Sequence, residues 1–505
     1  MSFNFVPVNM SDSRLPKTAK RYQMFIDGKW TDGSAESTFV RNSPAHGIPV
    51  SEYPRGGEVD VNAAVSAARH AFDAGVWSRI SGAERAEVLL KAAALIRENA
   101  EQLALVETLE TGKPIQQSRG EILGAAGCWE YAAGMARAIH GESFNNLGES
   151  MFGLVTREPV GVVGVITPWN FPFFIASERY PFVLASGCTL VAKAAEITSG
   201  TTLMLAGLLK EAGLPDGVFN VVTGPGSVIG KALTEHHDVN MVSFTGSTTV
   251  GQSTIAASAK NIKKLGLELG GKNPQVVFAD ADIDAAIDGT LFGLLFNSGQ
   301  CCVSGSRLIV ERSIHAEFCE RLLERAAKVK IGDPLNEETQ VGAIIDERQF
   351  TTIMRYIGQG QNEGAKLVTG GDVLGDRPGL FIQPTVFDKV DSGMSIFREE
   401  IFGPVLCITS FDTYEEAISI ANDSCFGLAA SIWTSNLDNA IRGFRDLKAG
   451  RLWVNTTISG GPELPVGGFK ESGYGRETGS YGLEEYTEVK SVHVHLGKRH
   501  KWLVE

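Results

Sequence analysis

The chain has 505 residues, enough for about three domain-sized units. Hydrophobic residues make up 43% and charged residues 21%, the balance of a globular enzyme with a sizeable core. With 46 Lys and Arg against 59 Asp and Glu the net charge is −13, which argues against a nucleic-acid partner or an anionic membrane surface. An anionic cofactor stays open, because it needs only local cations and backbone N–H groups.

The seven cysteines are odd in number and scattered, with no CxxC pair, which suits a reducing, cytoplasmic location better than a disulfide framework. The nine histidines show no metal-ligand spacing, so no metal is expected. The start, Met1 to Pro7, lacks a basic segment before an apolar one, so no signal peptide is expected. No apolar run approaches the ~18 residues that would span a membrane.

In chain order, about the first 20 residues read as a loose arm. Short β-type segments follow over 22–50. Long helical patterns come next, Val61 to Ala74 and then Ala83 to Glu107, where Leu89, Leu90, Ala93, Leu95 and Ile96 fall at helical spacing. From about 154, short apolar strands (161–166, 189–193, 218–222 and 241–244) alternate with helices near 199–212, 227–237 and 249–260. That alternation predicts a parallel α/β sheet. A second α/β series opens near 272, with strands at 275–278 and 307–310, and runs to about 470. The tail from Ser491 to Leu496 alternates with period two and reads as a strand.

Three glycine-rich turns are candidate phosphate cradles. Gly224 to Gly230 follows a strand, but its glycines are spaced one residue too long for the usual dinucleotide fingerprint. Gly473 to Gly479 has the same spacing and follows no predicted strand, so it reads as a turn. Phe244-Thr245-Gly246-Ser247-Thr248-Thr249-Val250-Gly251 joins a strand to a helix, where first-turn N–H groups suit a pyrophosphate. The same Ser/Thr cluster would equally serve as a helix cap.

The strongest chemical signal is a pair. Near residue 300 the chain reads Gly299-Gln300-Cys301-Cys302, and some thirty residues earlier Leu267-Glu268-Leu269-Gly270-Gly271-Lys272. A thiol beside a Gly-Gln turn and a lone glutamate before a Gly-Gly turn suggest a nucleophile and a base brought together by folding. Such a pair captures a carbonyl on sulfur and hydrolyses the thioester. The bland reading of a single cysteine is an inert core residue.

These stretches, with Ile166-Thr167-Pro168-Trp169-Asn170-Phe171-Pro172, Glu399-Glu400-Ile401-Phe402-Gly403-Pro404 and Pro465-Val466-Gly467-Gly468-Phe469-Lys470, resemble the NAD(P)-dependent aldehyde dehydrogenase superfamily over nearly the whole chain. The likeness is to its hydrolytic branch, with some similarity to betaine-aldehyde and amino-aldehyde oxidisers. It implies an α/β fold: a Rossmann-like cofactor domain (1–138 and 160–271), a second α/β catalytic domain (272–471) and a small β oligomerisation arm (139–159 and 472–505). It implies Cys302 as nucleophile, Glu268 as general base and Asn170 as oxyanion donor. It further implies cofactor contacts at Ile166, Trp169, Lys193, Glu196, Gly226, Gly246, Ser247, Gly251, Leu269, Glu400 and Phe402, and a substrate pocket with Phe171, Glu178, Phe296 and Cys301. One departure from the family pattern is Ala194, which stands where a proline is common.

The activity implied is oxidation of a small-molecule aldehyde to its acid by a homo-oligomer, dimer or tetramer. Glu196 would repel a 2′-phosphate, so NAD is expected over NADP. Glu268 distinguishes hydrolysis from acyl transfer to coenzyme A, which dispenses with this base; a non-catalytic binding protein of the same shape is the other alternative. Glu178, unpaired, would favour cationic or polyhydroxylated aldehydes over anionic ones; paired with the adjacent Arg179, it would say nothing about substrate.

Overall fold

The protein is described from a computed structural model covering residues 3–34, 37–499 and 502–503. Two open sheets carry the molecule. The first has eight strands in the order Gly473–Tyr474, Lys264–Glu268, Met241–Thr245, Val162–Ile166, Thr189–Lys193, Phe219–Val221, Met24–Ile26, Lys29–Thr31. Its five central strands are parallel; the outer ones pair antiparallel. The central residues Val162, Val163, Val165, Leu190, Val191, Met241 and Val242 are fully buried. Strands covered by helices on both faces need continuous apolar runs, and that is what the sequence supplies.

The second sheet has seven strands in the order Lys366–Thr369, Thr385–Asp388, Val405–Phe411, Arg307–Glu311, Pro274–Val277, Ala429–Trp433, Arg451–Val454. Six run parallel and Lys366–Thr369 is antiparallel. Lys264–Glu268 belongs to the first sheet and Pro274–Val277 to the second, joined by residues 269–273; the chain returns to the first sheet between Val454 and Gly473. A separate three-stranded antiparallel sheet comprises Glu142–Phe144, Met151–Pro159 and Thr487–His495.

Several expectations need correcting. The opening residues are not a loose arm: Asn4–Val6 pairs parallel with Lys330–Gly332, and the Asn9 N–H donates to Asp333. The helical pattern over 83–107 is two helices, Gly82–Glu98 and Ala100–Thr111, broken at Asn99, whose backbone leaves the helical region. Ser81 and Glu84 start the first of them with a reciprocal cap. The longest helix, Ile115–Ala136, has no clear sequence signal, because Gly120, Gly124, Gly127 and Gly134 interrupt its periodicity. The helix expected at 227–237 is a π turn, Gly226–Gly230, followed by a short α-helix, Lys231–Glu235. Gly473–Tyr474, expected as a turn, pairs with Leu267–Glu268 and so extends the first sheet beside the proposed base.

Candidate functional site

Val162–Ile166 and Met241–Thr245 are neighbours in the first sheet, but their onward connections lead to strands on opposite sides. Such a switch point leaves a crevice beyond the carboxyl ends of the strands. Here it is a cleft of about 550 Å³, lined by Trp169, Asn170, Gly246, Ser247, Leu269, Cys302, Glu400 and Phe402. Trp169 and Phe402 meet edge to face at 5.3 Å. Ser247 caps the helix Thr248–Ser258 by accepting from the Val250 N–H at 3.4 Å, so the capping role is realised on the cleft wall itself. The other expected cofactor residues, Ile166, Lys193, Glu196, Gly226 and Gly251, do not line this cleft themselves; Gly251 packs against Leu269, which does. Lys193 is buried, which lowers its pKa to about 8, and its Nζ lies 3.8 Å from where a Cβ on Gly226 would stand. Glu196 is 3.4 Å from Arg55. Gly251 lets its helix rest on Leu269, since a Cβ there would lie 2.6 Å from the Leu269 side chain.

The link at 269–273 explains the Gly-Gly signature. A Cβ on Gly271 would lie 2.5 Å from the carbonyl oxygen of Cys302, and one on Gly270 would lie 2.4 Å from the Glu400 carboxylate. Glu400 Oε1 accepts from the Gly271 N–H at 3.0 Å. The next residues pin the cysteine loop: Asn273 Nδ2 donates to the carbonyls of Cys302 (2.8 Å) and Ser304 (2.9 Å), while its Oδ1 accepts from Ala429 N–H. The Gly-Gly turn and the cysteine loop are therefore in direct contact.

The turn before the cysteines runs through three left-handed residues, Asn297, Ser298 and Gly299. Polar side chains hold it there. Asn297 Nδ2 donates to Asn170 O and Gln300 O, Ser298 Oγ to Gly342 O, and Gln300 Oε1 accepts from Ile345 N–H. Asn170 Nδ2 donates to Gln300 O at 3.1 Å, which aims its amide across the loop toward the cysteines. Sequence reading missed Asn273 and Asn297, and also Gln349, whose Nε2 holds the carbonyls of Ile401 and Phe402. Their only signal was polarity in apolar surroundings.

A second cavity, about 450 Å³, opens on the other side of Cys302 and includes Phe171, Glu178, Glu268, Phe296, Cys301 and Cys302 on its wall. Phe171 and Phe296 stack at 5.4 Å. Cys301 is buried against Phe171 and Ile175, as a structural neighbour would be. Cys302, Ile175 and Thr245 line both cavities, so the Cys302 thiol stands where the two spaces meet.

Buried charge surrounds this point. Arg179, with its side chain 2% exposed, lies 3.6 Å from Glu178 and 3.4 Å from Glu477, and donates to Ile175 O at 2.9 Å. Glu477 also accepts from Ser243 Oγ (2.8 Å) and Tyr486 OH (2.6 Å). Glu178 therefore lines the cavity, but not as the unpaired carboxylate that would draw a cation. On the far wall Glu121 is held by Lys113, which also meets Glu107. Burial raises the pKa of Glu268 well above the carboxylate range, with Arg179 opposing the shift and Glu477 adding to it. Glu268 Oε1 is buried with no hydrogen-bond partner among the described residues. Burial likewise raises Glu400 to about 7, opposed by the Gly271 N–H. The Cys302 thiol is pushed well above 9 by the adjacent Cys301 side chain and by burial.

Residues 30–492 match the aldehyde dehydrogenase family model. Aldehyde dehydrogenase family 2 member C4 of Arabidopsis thaliana is 45% identical over 481 residues, 95% of this chain and 96% of its own length. A solved NAD-dependent aldehyde dehydrogenase from Sinorhizobium meliloti superposes with a TM-score of 0.98 at 52% identity, covering 99% of this chain and 100% of that one. A betaine aldehyde dehydrogenase from Staphylococcus aureus, solved in complex with NAD+, gives a TM-score of 0.93 at 36% identity over 96% of this chain and 97% of that one. The chain belongs to the aldehyde dehydrogenase family, whose members are oxidoreductases acting on aldehydes.

The raised thiol pKa has a direct consequence. Without cofactor, iodoacetamide alkylation of Cys302, followed by mass spectrometry, is expected to be slow at neutral pH and still accelerating at about pH 9, because only the thiolate reacts. A rate that levels off below about pH 8 would contradict the environment described here.

Proposed function

We propose that Cys302, Glu268 and Asn170 form the catalytic centre of this aldehyde dehydrogenase, and that the two cavities meeting at Cys302 divide cofactor from substrate. The enzyme oxidises an aldehyde to its carboxylic acid with NAD. The observation that carries the division of labour is the position of Cys302 on both walls.

The Cys302 thiol releases its proton to solvent, the sulfur adds to the aldehyde carbon, and the carbonyl oxygen becomes an oxyanion. Asn170 spends one amide N–H on Gln300 O, leaving the other for the oxyanion beside the Cys302 backbone N–H. One such donor is typically worth ~3 kcal/mol. Bound NAD would supply the hydride acceptor as the adduct collapses to a thioester, and its positive ring would favour the Cys302 thiolate. Glu268 then removes a proton from water, which attacks the thioester; the carboxylic acid leaves and the thiol is restored. Glu268 has a carboxylate oxygen free for this, and its buried position requires it to lose its own proton first.

Gly246, Ser247, Trp169, Leu269, Glu400 and Phe402 would hold the cofactor from the cleft wall, with Lys193, Glu196, Gly226, Ile166 and Gly251 supporting its far end. Glu400 fits a ribose, since its carboxylate is fixed by the Gly271 N–H. Arg55 beside Glu196 softens the repulsion of a 2′-phosphate, so the preference for NAD over NADP is graded. The eight-stranded sheet supports assigning 1–138 and 160–271 to the cofactor domain, the seven-stranded sheet 272–471 to the catalytic domain, and 139–159 with 472–505 to the arm. Within that last segment, Gly473–Tyr474 pairs with the first sheet and Thr487–His495 builds the arm.

The arm exposes Phe144, Leu147, Val489, Val494 and Leu496, apolar side chains on both of its faces that suit contact with a second copy of the chain. The seven cysteines are free and none is paired, in keeping with a cytoplasmic location. No helix among the described residues is long and apolar enough to cross a membrane.

Two measurements bear on this reading. Cys302→Ala should abolish NADH formation with every aldehyde in a panel, while Cys301→Ala keeps much of it; a dead Cys301→Ala beside an active Cys302→Ala would reverse the assignment. Light scattering at micromolar concentration should give a dimer or tetramer mass, and a monomer mass would remove the role given to the arm.

A further inference from the structure

Two cations, Arg179 and Arg451, stand on the wall of the second cavity. Arg179 is spent on Glu178 and Glu477. Arg451 has no carboxylate within ion-pair distance among the described residues. Its guanidinium rests on the Trp453 ring at 5.0 Å, and the side-chain hydrogen bond it makes among the described residues is a long one, 3.4 Å, to Ser459 O. Of the carboxylates nearby, Glu178 is in contact with Arg179 and also feels Arg451 from farther away, and Glu121 is held by Lys113; Glu463, whose charge reaches the cavity residue Cys128, has no ion pair among the described residues. Glu268 sits at the inner end of the cavity with Cys302. The rest of the wall is mainly apolar, with the stacked Phe171 and Phe296 at its centre.

We propose that Arg451 is a substrate anchor, and that the cavity takes an aldehyde with an apolar body and an anionic group at the end away from the carbonyl. This rests on reading the second cavity as the substrate site. With the carbonyl carbon at Cys302 and the body against the stacked phenylalanines, the far end of the substrate would point toward the loop that Arg451 touches. A carboxylate there finds a planar guanidinium with no close carboxylate partner and only one long side-chain hydrogen bond. The preference is opposite to the one an unpaired Glu178 would have given. The competing role for Arg451 is purely structural, a clamp on the 456–460 loop through Trp453 and Ser459.

The test uses three aldehydes of one shape with saturating NAD: para-carboxybenzaldehyde, para-carbamoylbenzaldehyde and para-trimethylammoniobenzaldehyde. Taking the variant-to-parent ratio of kcat/KM for each cancels intrinsic carbonyl reactivity. Arg451→Gln should lower the ratio about tenfold for the anion, leave the amide within about twofold and raise the cation, while Arg451→Lys restores part of the anion's rate. Equal losses for all three, or no change for any, would overturn the proposal. A second readout needs no turnover: para-toluate should protect Cys302 from iodoacetamide better than para-toluamide does, and Arg451→Gln should erase the difference. If the toluate advantage is absent in the parent, Arg451 is not an anchor. If it is present but the parent oxidises no aldehyde at all, the anchor stands and the catalytic reading fails.

Discussion

One buried guanidinium, that of Arg179, has to neutralise more acid than it can. It makes close contact with Glu178 and Glu477, and its field reaches Glu268. All three carboxylates are held above their ordinary pKa, chiefly by burial. Ionising all three together, with Arg179 in close contact with two of them and Arg451 acting on Glu178 from farther away, would leave uncompensated charge in a water-poor interior. The ionised form is supported least where hydrogen bonds are fewest. Glu477 is satisfied by Ser243 and Tyr486, whereas Glu268 has an unpartnered oxygen. Burial with little hydrogen bonding thus disfavours the ionised form of Glu268.

The same network ties distant parts of the chain to the site. Ser243 comes from a central strand, Arg179 from the turn between two short helices, and Glu477 and Tyr486 from the last thirty residues. The strand Gly473–Tyr474 adds to the sheet edge that ends in Glu268. A C-terminal segment that also feeds the arm thereby sets the surroundings of the base. Contact between the arm and a second subunit would act on a segment already anchored beside the catalytic carboxylate.

The parts of this arrangement legible in the sequence were those carried by local pattern. Fully apolar runs marked the central strands, and the Gly-Gly and Gly-Gln turns marked where two loops touch. The family likeness then paired Glu268 with Cys302 before any geometry was known. What stayed hidden depends on contacts between residues far apart in the chain. Nothing local distinguishes Asn273, which holds the Cys302 carbonyl, from an ordinary strand-leading asparagine. Glu178 was visible as a charge, but its pairing was decided by packing. Arg451 sits in an edge strand of the second sheet and is brought to the cavity only by the fold. The first residues misled for the same reason: their partner strand lies more than three hundred positions away.

The central claim is that Glu268 serves the water step, after Cys302 has captured the aldehyde and the hydride has left. Rapid mixing of Glu268→Gln with NAD and an aldehyde separates the two steps. The account predicts a burst of NADH close to one equivalent per active site, followed by slow turnover limited by thioester hydrolysis. Loss of the burst itself would place Glu268 at the earlier step, activating the thiol, and would contradict the account.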